Sequence, residues 1–111
     1  MSTIAYVCDA SFETDVLASS KPVLVDFYAD WCAPCRALMP ALEDIAREYD
    51  GDLTVLKLDV DKNIEARDRF GISSIPALLL FDKGELRQRL LGPASRTAIA
   101  GAVDKLLEGE G

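Results

Sequence analysis

The sequence predicts an α/β fold, one mixed β-sheet with helices on both faces, in the order βαβαβαββα. Three observations carry that expectation. Short runs rich in Val and Leu alternate with stretches of helical period over most of the chain; the last two runs follow one another directly across Asp82-Lys83-Gly84-Glu85; and an amphipathic stretch comes last. With 111 residues and 12.1 kDa, one core must serve the whole chain, and residues 1–111 are expected to form a single domain.

Ile4 to Val7 reads as the first strand, and Asp9 and Ser11 are candidate caps for a short helix that keeps Phe12, Val16 and Leu17 on one face. Val23 to Ala29 is almost unbroken apolar sequence around Asp26, the pattern of a central strand covered on both faces. From Pro34 to Tyr49, Leu38, Leu42, Ile45, Ala46 and Tyr49 recur at helical spacing, with Gly51 as a stop and Pro40 as an expected kink. Leu53 to Val60 is the next strand, and Asn63 to Phe70 a short helix ended by Gly71. Ala77 to Phe81 and Leu86 to Leu91 should pair as an antiparallel hairpin across the Gly-containing connection. Ser95 caps the last helix, in which Ile99, Val103, Leu106 and Leu107 are expected to face the core.

Composition removes whole classes of function. Net charge is −7, from 19 acidic and 12 basic residues, which disfavours a nucleic-acid backbone as partner. The chain has no histidine, so Ser-His-Asp and Cys-His catalysis, histidine-ligated zinc and proximal-His haem all fall away. Apolar runs are far shorter than the roughly 20 residues of a membrane span. Met1 to Ser20 carries Asp9, Glu13 and Asp15 and no export pattern, so a soluble, cytoplasmic protein is expected. Three cysteines make a pure disulfide framework improbable on parity.

Trp31-Cys32-Ala33-Pro34-Cys35-Arg36 falls where the central strand ends and the long helix begins. Cysteines three apart in a first helical turn have Cβ atoms about 5–6 Å apart, close enough for a small adjustment to close a disulfide. Unpaired amides and the helix dipole favour a thiolate on the first cysteine, so Cys32 is the expected nucleophile. Pro34 is preset for a first-turn angle and lacks an N–H that would have no intrahelical acceptor. A metal knuckle would need a second ligand pair, and the chain offers only Cys8. Two buried cysteines acting merely as small hydrophobes is the blander reading, less consistent with a strand-to-helix junction and an intervening proline. Cys8 itself reads as a small packing residue at the end of the first strand.

The ordered set Val25-Asp26-Phe27, Trp31-Cys32-x-Pro34-Cys35, Lys57, Gly71-Ile72, Ile75-Pro76, Gly84 and Gly92 resembles the thioredoxin family over essentially the whole chain. The resemblance implies the thioredoxin fold, a central mixed sheet flanked by four helices, and reduction of protein disulfides through the Cys32–Cys35 pair. By the same resemblance, Cys35 resolves the mixed disulfide, Asp26 and Lys57 give proton-transfer and electrostatic support, and Ile75-Pro76 is a cis-proline loop beside the dithiol. Trp31, Ile75, Pro76 and Gly92 would form the apolar surface that receives a substrate. The implied partners are an NADPH- and flavin-dependent thioredoxin reductase and disulfide-containing proteins, with no bound cofactor and a monomeric chain. Ala33 and Arg36 inside the motif, Ser74 and Ala77 around Ile75-Pro76, and Pro93 after Gly92 depart from the family's commonest residues and bear on potency and partner choice. A redox-gated binding module on the same fold is the alternative, since fold alone does not fix function.

From the residues themselves, Asp26 interrupts an otherwise buried run, and burial disfavours its charged form. Lys57 alone reads as a side chain that snorkels to the surface.

Overall fold

The computed structural model describes residues 4–109. Five strands, β1 (Ala5–Tyr6), β2 (Val23–Tyr28), β3 (Thr54–Asp59), β4 (Ala77–Asp82) and β5 (Glu85–Leu91), form one sheet in the spatial order β1-β3-β2-β4-β5. β1 and β2 each run parallel to β3, whereas β4 is antiparallel to both β2 and β5. The apolar run around Asp26 is therefore the middle strand, and all but its last residue are buried.

Alternation along the strands divides the core in two. Val23, Val25, Phe27, Leu56, Leu58, Leu79 and Phe81 face one way, toward Phe12, Val16 and Ala66. Leu24, Val55, Leu78 and Leu80 face the other, toward α1 (Ala33–Glu48) and α3 (Arg96–Leu107). In α1 the buried positions Leu38, Leu42 and Ile45 repeat at helical spacing, and the helix runs unbroken through Pro40. Ser95 caps α3 as expected, its hydroxyl accepting from the Ala98 N–H at 3.1 Å. Leu107 corrects the expected core face: it is 41% exposed, because Ile99, Val103 and Leu106 already occupy the inward stripe and the next position rotates away from it.

The first helical segment also differs from expectation. It is a 3₁₀ turn over Asp9–Ser11 followed by a π-type turn over Glu13–Leu17, with Phe12 and Val16 buried as the periodicity requires. Cys8, not Asp9, stands at its N-cap, and the Ser11 hydroxyl accepts from the Cys8 N–H at 3.1 Å. The Asp9 carboxylate instead accepts from the Glu65 and Ala66 N–H groups, at 3.1 and 2.8 Å, at the start of α2 (Ile64–Arg69). The Asp9 N–H in turn donates to Asn63 Oδ1 at 2.8 Å, and Asn63 Nδ2 donates to the Asp59 carbonyl at 3.0 Å. This latch ties the first helical segment to α2 on one face of the sheet. Cys8 is exposed and corrects the packing expectation, since the cap turns its side chain outward against Ser11.

The hairpin turn is the two-residue connection Lys83-Gly84, both at positive φ (54° and 80°), which matches the twist of the flanking strands. A Cβ at Gly84 would lie 3.0 Å from the Leu17 carbonyl oxygen, a tight approach that would require the neighbouring backbone to give, in addition to the strain of the left-handed conformation. Among the described residues, no helix is long and apolar enough to cross a membrane.

Candidate active site

β2 delivers the chain to the site. At its end the backbone turns through Ala29-Asp30-Trp31, and Cys32 becomes the N-cap of α1 in extended conformation, with Pro34 in the first turn. Cys32 and Cys35 are joined by a disulfide with a Cα–Cα separation of 5.3 Å, inside the ordinary range for such bonds. Both are buried, and the Cys35 N–H points at Cys32 Sγ from 3.2 Å. An amide at that place, one of those a helix start leaves without an intrahelical acceptor, stabilises negative charge on Cys32 when the pair is opened. Arg36, next along the helix, turns back to donate to the Asp30 carbonyl at 2.5 Å and holds the entry turn.

On one side of the pair, Trp31 stands 69% exposed, an unusual posture for its size, and its Nε1–H donates to Asp61 Oδ2 at 2.7 Å. With Val60, Ile72 and Ile75 it lines a depression of about 220 Å³ that also meets Asp61, Arg67 and Ser74. The Ile75–Pro76 peptide is cis, with Pro76 buried and its carbonyl accepting from the Gly92 N–H at 2.9 Å. Gly92 has φ of 77°, a value that glycine adopts at little cost. The hydrogen bond thus brings Gly92 beside the Ile75-Pro76 loop, while Trp31 and Ile75 share the depression.

On the other side lies a cleft of about 170 Å³ lined by Cys35, Tyr6, Tyr28, Met39 and Lys57, with Asp30 and Arg36 at its edge. Lys57 is paired in register with Asp26 of β2 and with Tyr6 of β1. Asp26 is fully buried, and neither carboxylate oxygen has a hydrogen-bond partner among the described residues. Burial raises its pKa from 3.8 to about 7, with the Lys57 charge opposing part of the rise. Burial likewise pushes the Tyr28 hydroxyl well above its usual range.

Of the residues expected at the site from the sequence, Trp31, Cys32 and Cys35 stand at the strand-to-helix junction, Ile75, Pro76 and Gly92 on the flanking loops, and Asp26 and Lys57 side by side within β2 and β3. Sequence reasoning missed Asp61, the acceptor that holds Trp31, and Tyr6, which faces Lys57 across the cleft. Asp61 carried no signal, because its partner lies 30 residues away. Tyr6 carried a faint one, as a large aromatic in a strand too short to cover it.

A dithiol that opens and closes at a helix start, set into a mixed sheet of this topology, exchanges disulfides with other molecules, which makes this chain a thiol–disulfide oxidoreductase. The thioredoxin family model matches residues 3–105, and the chain belongs to the thioredoxin family. It is 54% identical over 93 residues to the thioredoxin of Mycobacterium tuberculosis (strain ATCC 25618 / H37Rv), covering 84% of this chain and 80% of that one. It is 48% identical over 104 residues to the thioredoxin of Acidithiobacillus ferridurans, covering 94% and 96%. A bifunctional thioredoxin reductase/thioredoxin of Mycobacterium leprae (strain TN) is 50% identical over 93 residues, 84% of this chain but 20% of that protein. The chain is a protein-disulfide reductase that works by dithiol exchange, and the alternative of a binding module alone is not favoured.

Proposed function

We propose that residues 1–111 act as a single monomeric domain that carries two electrons from a reductase to protein disulfides, with Cys32 as nucleophile. The Cys32 thiolate attacks one sulfur of the substrate disulfide; a Cys32–substrate S–S bond forms, and the other substrate sulfur leaves as a thiolate that takes up a proton. Cys35 then gives its proton to the Asp26 carboxylate and attacks Cys32 Sγ. The second substrate thiolate is released, and the Cys32–Cys35 bond of the oxidised chain remains. The substrate gains two electrons and the chain loses two.

The observation that carries this order of events is the Cys35 N–H aimed at Cys32 Sγ, which favours charge on the first cysteine rather than the second. Asp26 suits the acceptor role because a base works best with a pKa near the operating pH, and its value of about 7 meets that condition. Lys57 supports the carboxylate by charge. Trp31, Ile75, Pro76 and Gly92 receive the substrate chain around its disulfide.

Regeneration calls for an NADPH- and flavin-dependent thioredoxin reductase, a partner supported by the fused reductase/thioredoxin relative. A reducing compartment, the cytoplasm, fits a dithiol that must be returned to the thiol state. Insulin reduction tests the assignment: turnover with dithiothreitol or reductase should vanish in Cys32→Ser. Retained turnover in that variant would remove Cys32 from the nucleophile's place.

A further inference from the structure

We propose that Tyr6 is a positioning residue for the exchange reaction: its ring holds the Lys57 ammonium at the mouth of the Cys35 cleft, from where that charge acts on Asp26. Parallel register sets Tyr6, Lys57 and Asp26 in one row across β1, β3 and β2, from the sheet edge to its centre. Residues paired in this way project from the same face, and neighbouring strands lie about 4.8 Å apart, so a lysine in the middle of the row can reach either neighbour. The Lys57 Nζ lies 4.5 Å from the Tyr6 ring centroid, within cation–π range. No carboxylate forms an ion pair with Lys57 among the described residues, so the ring is the feature that locates the ammonium.

Tyr6 is 67% exposed and adds little to the core, which leaves its ring without a packing reason to be there. The other polar groups that line the cleft with Lys57 are Tyr28 in the strand of Asp26, Asp30 in the following turn, and Cys35 and Arg36 at the head of α1. Arg36 is engaged by the Asp30 carbonyl. Of all these, Lys57 alone has a charge that acts on Asp26. Without the ring, the four-carbon stem of Lys57 regains its rotamer freedom and the ammonium moves into water, where its pull on the buried carboxylate weakens.

The test is a carbon-13 NMR titration of the Asp26 carboxyl in the full chain with the disulfide closed. Tyr6→Leu should raise the Asp26 midpoint by about half a pH unit, roughly a threefold change in its acid constant, the size expected for an exposed cation–π contact. Tyr6→Phe, which keeps the ring, should leave the midpoint in place. In a Lys57→Met background, Tyr6→Leu should add nothing. A midpoint that stays or falls in Tyr6→Leu, a Phe variant that moves as far as Leu, or an equal rise without Lys57 would each overturn the proposal. Tyr6→Val, a good strand former, reads the same quantity should leucine disturb the edge. The kinetic consequence rests on Asp26 as proton acceptor. A midpoint that moves while the pH profile of insulin reduction does not would uphold Tyr6 and remove Asp26 from that role.

Discussion

Asp26, the proposed proton acceptor, is buried without a hydrogen-bond partner among the described residues, and that placement costs stability. Its pKa is about 7 in the folded chain against 3.8 for a free carboxyl, so the unfolded chain releases its proton first as pH rises. The contribution of this group is therefore most favourable below pH 3.8, is lost progressively as pH rises to about 7, and is constant above. A rise of this size corresponds to something on the order of 4 kcal/mol lost at neutral pH. Asp26→Ala should accordingly be more stable than the parent chain at pH 8, less the cost of a small cavity, and the advantage should shrink as pH falls toward 4. Urea unfolding of both proteins across that range measures it, and insulin reduction by the variant should be slower at neutral pH. Cys8 is the opposite case. Its exposed thiol, whose pKa the Ser11 hydrogen bond lowers, lies outside the exchange pair. Cys8→Ala should keep near-parental turnover, and a large loss in a folded variant would bring the third thiol into the reaction.

At the scale of elements, two connections hold the layers in register. The Asp9 carboxylate serves as N-terminal acceptor for α2, a helix of six residues that could hardly persist without outside support. Asp9→Ala should cost about 1–2 kcal/mol in chemical unfolding, the range of a lost helix cap, and leave insulin turnover close to the parent's in the folded chain. The second connection is the β4–β5 turn. Gly84→Ala puts a Cβ into left-handed backbone and 3.0 Å from the Leu17 carbonyl oxygen. Such a change should lower stability by about 1–2 kcal/mol or more, read as a lower urea midpoint with unchanged slope.

Across the whole molecule, what was legible in the sequence was whatever depends on neighbours along the chain. The buried middle strand showed in the run around Asp26, the hairpin in its glycine, the last helix in Ser95, and the reactive pair in two cysteines one helical turn apart. What stayed hidden depends on groups far apart in sequence. Asp9 looks like the cap of its own helix until the fold brings Glu65 and Ala66 to it, more than 50 residues on. Leu107 follows the apolar pattern, but the stripe was already full. Trp31 could be read as core or as surface, and its bond to Asp61 holds it at the surface. The cis geometry at Ile75–Pro76 came through family resemblance, since nothing in the two residues alone distinguishes it.

In the proposed mechanism the two sulfurs have fixed and unequal parts, with Cys32 attacking and Cys35 resolving. Incubating Cys35→Ser and Cys32→Ser separately with a disulfide-bonded protein and resolving the products on non-reducing gels tests it most directly. Cys35→Ser should accumulate a mixed disulfide that dithiothreitol releases, while Cys32→Ser should accumulate none. Trapping by Cys32→Ser in place of Cys35→Ser would reverse the roles and contradict the reading of the helix start.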